Sequence, residues 1–338
     1  MNIQKILYRT KVSLEFTGFL ANGFEECAMT ILFVSDPIVG GEEGWRKAMA
    51  ERLPDIPFKL STEIYDKEEI EFVLCFRAQP GLFAGMKNLK AILATGAGVD
   101  GLFLDPDLPD VPIARIVDPW MADQMAAWTT YAVLHFFRRF GDYHKQQISA
   151  EWRELEPPQS APPRVGFLGY GAIGSTVGKA LGNFGFEVSA WTRGSRELPG
   201  ISHYHGMEAL PNFMAKANFL VCLMPLTLET KGFLNKERLG LLPNPAYLIN
   251  LARGQVAITE DIISALQCGR LAGAFLDVTD PEPLPADSPL WSMDNVRITP
   301  HCSGPTNPET AADQVAGNIL RTLKGDRLEN LIRRELGY

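Results

Sequence analysis

The chain has 338 residues, 46% hydrophobic and 21% charged, a globular composition long enough that two domains are expected. Its 32 Lys and Arg against 40 Asp and Glu give a formal charge of -8, which excludes the basic face that nucleic acid demands. An anionic ligand must therefore be held by local cations and backbone N–H groups.

The five cysteines, Cys27, Cys75, Cys222, Cys268 and Cys302, are scattered and form no C-x-x-C pair. That pattern fits a reduced, cytoplasmic protein and offers no metal site. No apolar run reaches the roughly 18–20 residues that span a bilayer. Residues 1–28 carry Lys5, Arg9 and Lys11 ahead of mixed apolar and acidic residues, with no small-residue cleavage signal. Met29 stands directly before the strand Thr30-Ile31-Leu32-Phe33-Val34-Ser35. Either Met29 is the working start or residues 1–28 are a disordered extension; neither reading gives them a function.

From residue 30 to about 118 strand and helix alternate. A strand at Ile31–Val34 precedes a helix at Gly44–Arg52, and further strands are expected at Glu71–Phe76 and Lys90–Ala94. This is a small α/β unit. One long apolar helix is expected over Met121–Gln147, read as a subunit interface. The Pro-rich stretch 157–163 excludes helix and marks the start of the next unit. Beyond it, six strands are expected at 165–168, 187–191, 219–223, 247–251, 273–277 and 296–299. Helices at Ala172–Asn183, Met207–Ala217 and Thr259–Cys268 make this a doubly wound parallel sheet. An amphipathic helix at Pro308–Lys324 is expected to return to the first domain.

Two glycine turns compete for a nucleotide. Gly96-Ala97-Gly98-Val99-Asp100-Gly101 matches G-x-G-x-x-G as well as Gly169-Tyr170-Gly171-Ala172-Ile173-Gly174 does. Only the second lies between a strand and a helix, where a pyrophosphate can rest on the helix N-terminus. The first remains open between a plain turn and an anion nest in which Ala97 and Gly98 hold a carboxylate. The strand after the second turn ends Thr192-Arg193-Gly194-Ser195-Arg196, with no carboxylate until Glu197. Thr192, Arg193, Ser195 and Arg196 suit a ribose 2′-phosphate, so NADPH is expected over NADH, the secondary cofactor.

Later strands deliver Arg253, then Asp277 and Glu282, then His301 at their carboxyl ends. Reduction of a 2-keto acid needs a cation for the carboxylate, here Arg253, and an acid for the developing alkoxide, here His301. Glu282 is placed to accept a hydrogen bond from the other ring nitrogen. His135 and His144, on the long helix, and His203 and His205, on a surface-like loop, read as structural or solvated. Trp45 and Arg77 read as packing or surface. Cys302 beside His301 reads as no nucleophile, since neighbours on an extended segment point opposite ways.

With these residues in place the chain resembles the D-isomer-specific 2-hydroxyacid dehydrogenase family, and within it the bacterial glyoxylate/hydroxypyruvate reductase A group. The markers run from Gly96-Ala97-Gly98-Val99-Asp100 and Phe136-Phe137-Arg138-Arg139-Phe140 to Met224-Pro225-Leu226-Thr227. They continue through Asn250-Leu251-Ala252-Arg253-Gly254, Leu276-Asp277-Val278, Glu282-Pro283-Leu284-Pro285 and Pro300-His301.

The resemblance implies a two-domain α/β fold. A Rossmann domain spans 119–304, including a dimerisation helix at 121–147, and a smaller flavodoxin-like substrate domain spans 29–118 and 305–338. It further implies Arg253 on substrate, Glu282 and His301 as the acid–base pair, and Asp277, with Pro225 and Thr230, on the cofactor. Ala97 and Gly98 match the family's loop for the substrate carboxylate. Thr279, where the family often has an aromatic residue, and Cys302-Ser303-Gly304 depart from the pattern. The expected reaction is NADPH-dependent reduction of glyoxylate or hydroxypyruvate by a homodimer. A bulkier 2-keto acid and a non-catalytic dinucleotide sensor are the alternatives.

Overall fold

The computed structural model describes residues 29–36, 41–156 and 163–338. The readings made for residues 1–28 and for most of the Pro-rich stretch lie outside the described residues. The chain divides into two compact units, one running to Trp120 and resuming at Thr306–Tyr338, the other spanning Met121–Pro305.

In the first unit β1 (Thr30–Phe33), β2 (Phe58–Leu60), β3 (Ile70–Cys75), β4 (Ala91–Ala94) and β5 (Ile113–Ala114) form a parallel sheet in the order β2-β1-β3-β4-β5. This is the flavodoxin-like order. β1, β3 and β4 are buried along their whole length, as continuous apolar strands covered on both faces must be. Helix α1 (Glu42–Arg52) lies against the C-terminal helix Pro308–Lys324, and the buried Arg52 pairs with Asp313 and donates to the carbonyls of Ala48 and Glu309. Trp45, 1% exposed, sits in this core beside Phe33. The strands β2 and β5 went unpredicted because three and two residues are too short for a periodicity to register.

The second unit opens with α2 (Pro119–Phe137) and α3 (Phe140–Ile148). The single helix expected over 121–147 is thus two. Arg139 takes a left-handed conformation (φ 57°), and the chain turns so that the α-carbon of Gly141 lies close against His135 and Arg297. The apolar spacing runs straight across the break, which hides it in the sequence.

A seven-stranded parallel sheet follows, in the order β12-β11-β10-β9-β6-β7-β8. Its strands are β6 (Arg164–Leu168), β7 (Glu187–Thr192), β8 (Ser202–His205), β9 (Phe219–Cys222), β10 (Tyr247–Asn250), β11 (Gly273–Leu276) and β12 (Val296–Ile298). The helix α4 (Ala172–Asn183) connects β6 to β7. Strand order reverses at β6, the switch point at which ligands of open α/β sheets bind. The unpredicted strand is β8: His203 and His205 lie on this edge strand and not on a loop. Its sequence Ser-His-Tyr-His carries no apolar alternation, as suits a half-exposed edge.

Candidate active site

Because all seven strands run parallel, their carboxyl ends share one edge of the sheet. β10 and β11 are in register with Asn250 opposite Leu276, and β11 and β12 with Leu276 opposite Ile298. The loops bearing Arg253, Glu282 and His301 therefore leave from adjacent strands about 4.8 Å apart.

At the switch point the glycine turn has the geometry of a cradle. Gly169 adopts φ +87°, and a Cβ there would meet the Leu223 carbonyl oxygen at 2.9 Å. By contrast, a Cβ on Gly171 would meet nothing within 4 Å. Gly171 is the N-cap of α4, and no side chain caps the helix. The first N–H groups, on Ala172, Ile173 and Gly174, find no partner within the helix. Open space before an uncapped helix N-terminus fits the pyrophosphate of a dinucleotide. Neither feature recurs after Gly101: only a five-residue 3-10 helix, Asp100–Leu104, follows the first turn, and the Cβ positions of Gly96 and Gly101 are taken by Phe76 and Arg77. Ala97 and Gly98 belong to this turn, in the first unit.

At the end of β7, Thr192 Oγ1 donates to the Gly194 carbonyl (2.8 Å) and lies 2.6 Å from His203 Nε2. Arg193 is paired with Glu229 at 2.9 Å, on the surface. Such an exposed pair is worth about 0–1 kcal/mol, so an arriving phosphate would meet little resistance in recruiting the guanidinium. Arg196 reaches back to the Tyr170 carbonyl inside the glycine turn, and Ser195 is exposed. Beyond β9, the Thr230 hydroxyl donates to the Pro225 carbonyl (2.6 Å) and accepts from the Thr227 N–H (2.8 Å), closing the 225–230 turn.

Around the candidate acid, His301 Nδ1 lies 3.0 Å from Glu282 Oε2, each side chain 23% exposed. Glu282 Oε1 accepts from the Thr279 N–H at 3.1 Å. His301 itself has φ 51°, uncommon for a residue with a Cβ and the kind of local strain that collects at functional sites. Its N–H donates to the Asp277 carbonyl at 2.8 Å. The Asp277 carboxylate, 1% exposed, accepts from Thr299 Oγ1 (2.7 Å) and from the N–H groups of Cys302 and Ser303 (3.0 Å each). Asp277 thus ties down the turn that presents the imidazole.

Arg253 stands after β10 and donates to the Ala252 carbonyl at 2.8 Å. The buried Asn250 holds that turn, donating to the Arg253 carbonyl and accepting from the Ala252 N–H. Gly254 packs so tightly on the 279–280 backbone that a Cβ would lie 1.9 Å from the Thr279 oxygen. The Arg253 turn and the turn carrying Glu282 are therefore locked together. Asn250, Thr299 and Gly254 were not singled out from the sequence as site residues, and only their packing reveals them.

Cys302 is exposed, yet desolvation raises its thiol above the ordinary range, and the Asp277 carboxylate raises it further. It remains a thiol at neutral pH. The extended-chain argument against it does not apply, since His301 is left-handed; the raised pKa is what disfavours the nucleophile.

A sequence profile described as D-isomer specific 2-hydroxyacid dehydrogenase, NAD binding domain, matches residues 130–303. A D-isomer-specific 2-hydroxyacid dehydrogenase from Xanthobacter autotrophicus Py2, solved with NADPH and MES, is similar at 38% identity. That match has a TM-score of 0.87 and covers 92% of this chain and 99% of the other. An NADPH-dependent glyoxylate/hydroxypyruvate reductase from Sinorhizobium meliloti, solved with NADP and sulfate, shares 31% identity (TM-score 0.85; 91% and 100% covered). A probable 2-hydroxyacid dehydrogenase from Rhizobium etli CFN 42, solved with NADP, HEPES and L(+)-tartaric acid, shares 33% (TM-score 0.83; 91% and 99%). An uncapped glycine turn at a switch point, a carboxylate-bound histidine and these likenesses agree: the chain belongs to the D-isomer-specific 2-hydroxyacid dehydrogenases, a family of nicotinamide-dependent oxidoreductases.

Proposed function

We propose that the protein reduces small 2-keto acids, glyoxylate to glycolate and hydroxypyruvate to D-glycerate, with NADPH preferred and NADH secondary. The observation that carries the reading is the 3.0 Å contact of His301 Nδ1 with Glu282 in a unit whose glycine turn is open to a dinucleotide. Bound nicotinamide supplies the hydride. Arg253 grips the substrate carboxylate through its planar fork and polarises the adjacent carbonyl. His301, with Nδ1–H held by Glu282, gives the Nε2 proton to the oxygen that becomes the alkoxide. Glu282 also fixes the orientation of the ring, so that Nε2 faces the substrate oxygen. For Ala97 and Gly98 the proposed role is backbone contact with the substrate carboxylate.

NADPH is favoured by Thr192, Arg193, Ser195 and Arg196 around the end of β7, where the chain supplies no carboxylate for a ribose 2′-OH until Glu197. The NADP-bound neighbours support the same choice. Pro225, Thr230 and Asp277 complete the proposed cofactor set, Asp277 through its hold on the His301 turn. A homodimer built on α2 and α3 accounts for the exposed Tyr131, Phe140, Tyr143 and Ile148 on one apolar segment. The cysteines Cys75, Cys222, Cys268 and Cys302 are free, which fits the reducing cytoplasm.

The test is steady-state oxidation of NADPH and NADH with glyoxylate, hydroxypyruvate, pyruvate and phenylpyruvate. Fast turnover of the first two with NADPH is expected. His301→Ala should lower kcat about 10²–10⁴-fold with NADPH affinity nearly intact. Preference for phenylpyruvate would move the reading to a bulkier acid. Tight NADPH binding without turnover on any substrate would make the protein a dinucleotide sensor.

A further inference from the structure

The loop Thr192–Arg196, which leaves β7 where a cofactor ribose is received, is met at its start by one side chain from the neighbouring edge strand. His203 on β8 lies with Nε2 2.6 Å from Thr192 Oγ1 at the start of the loop. The Thr192 hydroxyl already sends its proton to the Gly194 carbonyl, so towards His203 it offers a lone pair. A neutral imidazole carries one N–H and an imidazolium two, so a second acceptor that arrives with the cofactor rewards protonation.

We propose that His203 is a specificity-determining positioning residue for the cofactor, one that holds Thr192 at the start of the Thr192–Arg196 loop and takes up a proton when a 2′-phosphorylated ribose binds there. This rests on the NADPH reading above. In the ligand-free protein the ring is held towards its neutral form: burial disfavours the charge, and His205 (ring centroids 5.8 Å apart) and the Arg196 guanidinium repel it. The Arg196 backbone pulls the other way. Of the other charged groups near the loop, Arg193 is engaged by Glu229, and Lys216 lies over Tyr204, whose side chain points to the opposite face of β8. A phosphate carrying nearly two negative charges tips this balance to the imidazolium, whereas the bare ribose of NADH brings no charge.

Calorimetric titration of the full chain with NADPH and with NADH, each in two buffers of different ionisation enthalpy, reads the proton directly. At about pH 7.5 the cofactor's own phosphate is already dianionic, so its titration contributes little. The wild type should take up a fraction of a proton with NADPH and none with NADH. His203→Gln should lose that uptake and bind NADPH about three- to tenfold more weakly near pH 6.5, with the gap closing towards pH 8.5.

Equal uptake with both cofactors overturns the inference, whether or not the variant folds. So does uptake that persists in His203→Gln but disappears in His205→Gln. If the wild type binds NADPH no better than NADH, the cofactor reading itself has failed. If it prefers NADPH and His203→Gln keeps wild-type uptake, only the role of His203 has failed.

Discussion

Asp277 shows how a residue's part in a site differs from what its spacing suggests. Resemblance places it on the cofactor, while the geometry spends its carboxylate on Thr299, Cys302 and Ser303. Asp277→Ala would leave two backbone N–H groups and a hydroxyl without their acceptor, at a cost of about 2–4 kcal/mol in urea unfolding. Turnover should fall with it, because His301 loses the frame that holds its left-handed backbone. A loss below about 0.5 kcal/mol would remove this role. Cys302 is the complementary case. Its raised pKa means less thiolate at pH 7–8 than an ordinary cysteine has, so iodoacetamide should alkylate it more slowly than it alkylates glutathione. Faster alkylation would restore the nucleophile. Arg253, Glu282 and His301 could be named from the sequence because each is a chemically distinctive group in the loop that follows a strand. Asn250 and Thr299 could not, since the hydrogen-bond needs of a buried turn leave no spacing behind.

At the level of elements, the sequence announces what is long and periodic. Ala172–Asn183 and Pro308–Lys324 have the expected bounds, whereas the two-residue β5 and the polar edge β8 leave no pattern to find. The break between α2 and α3 is set by tertiary contact. There His135, 6% exposed, shares the turn with Gly141 and Arg297. Burial lowers its pKa below the ordinary value, the Arg297 charge lowers it further, and Asp142 opposes both. A ring that resists protonation when folded but accepts it when unfolded gives stability that is full above the unfolded value, about 6.5. That stability is lost as pH falls from there towards the lower folded pKa. The melting temperature should therefore drop between about pH 7.5 and pH 5.5 by more in the wild type than in His135→Phe. Parallel pH profiles for the two proteins would show that His135 does not contribute.

For the whole molecule, two parallel sheets follow from the alternation of strand and helix in the sequence. Which strands are neighbours does not, because parallel order depends on crossovers that sequence spacing leaves open. Net charge is the property of the whole that composition does reveal, and it bears on how an anionic substrate arrives. At a formal charge of -8 the protein's far field repels a keto acid, so on the proposed reading capture depends on short-range contacts such as those assigned to Arg253. Salt screens the long-range repulsion first, since the Debye length is already about 10 Å at 0.1 M. Raising ionic strength from about 10 mM to about 150 mM should therefore leave kcat/KM for glyoxylate level or slightly higher. An enzyme that steers its anion through a cationic cleft would lose kcat/KM steeply over the same range. A severalfold fall here would mean that the cations near the site outweigh the molecule's net charge at long range. A flat or rising profile would mean that recognition begins only once the substrate touches the site.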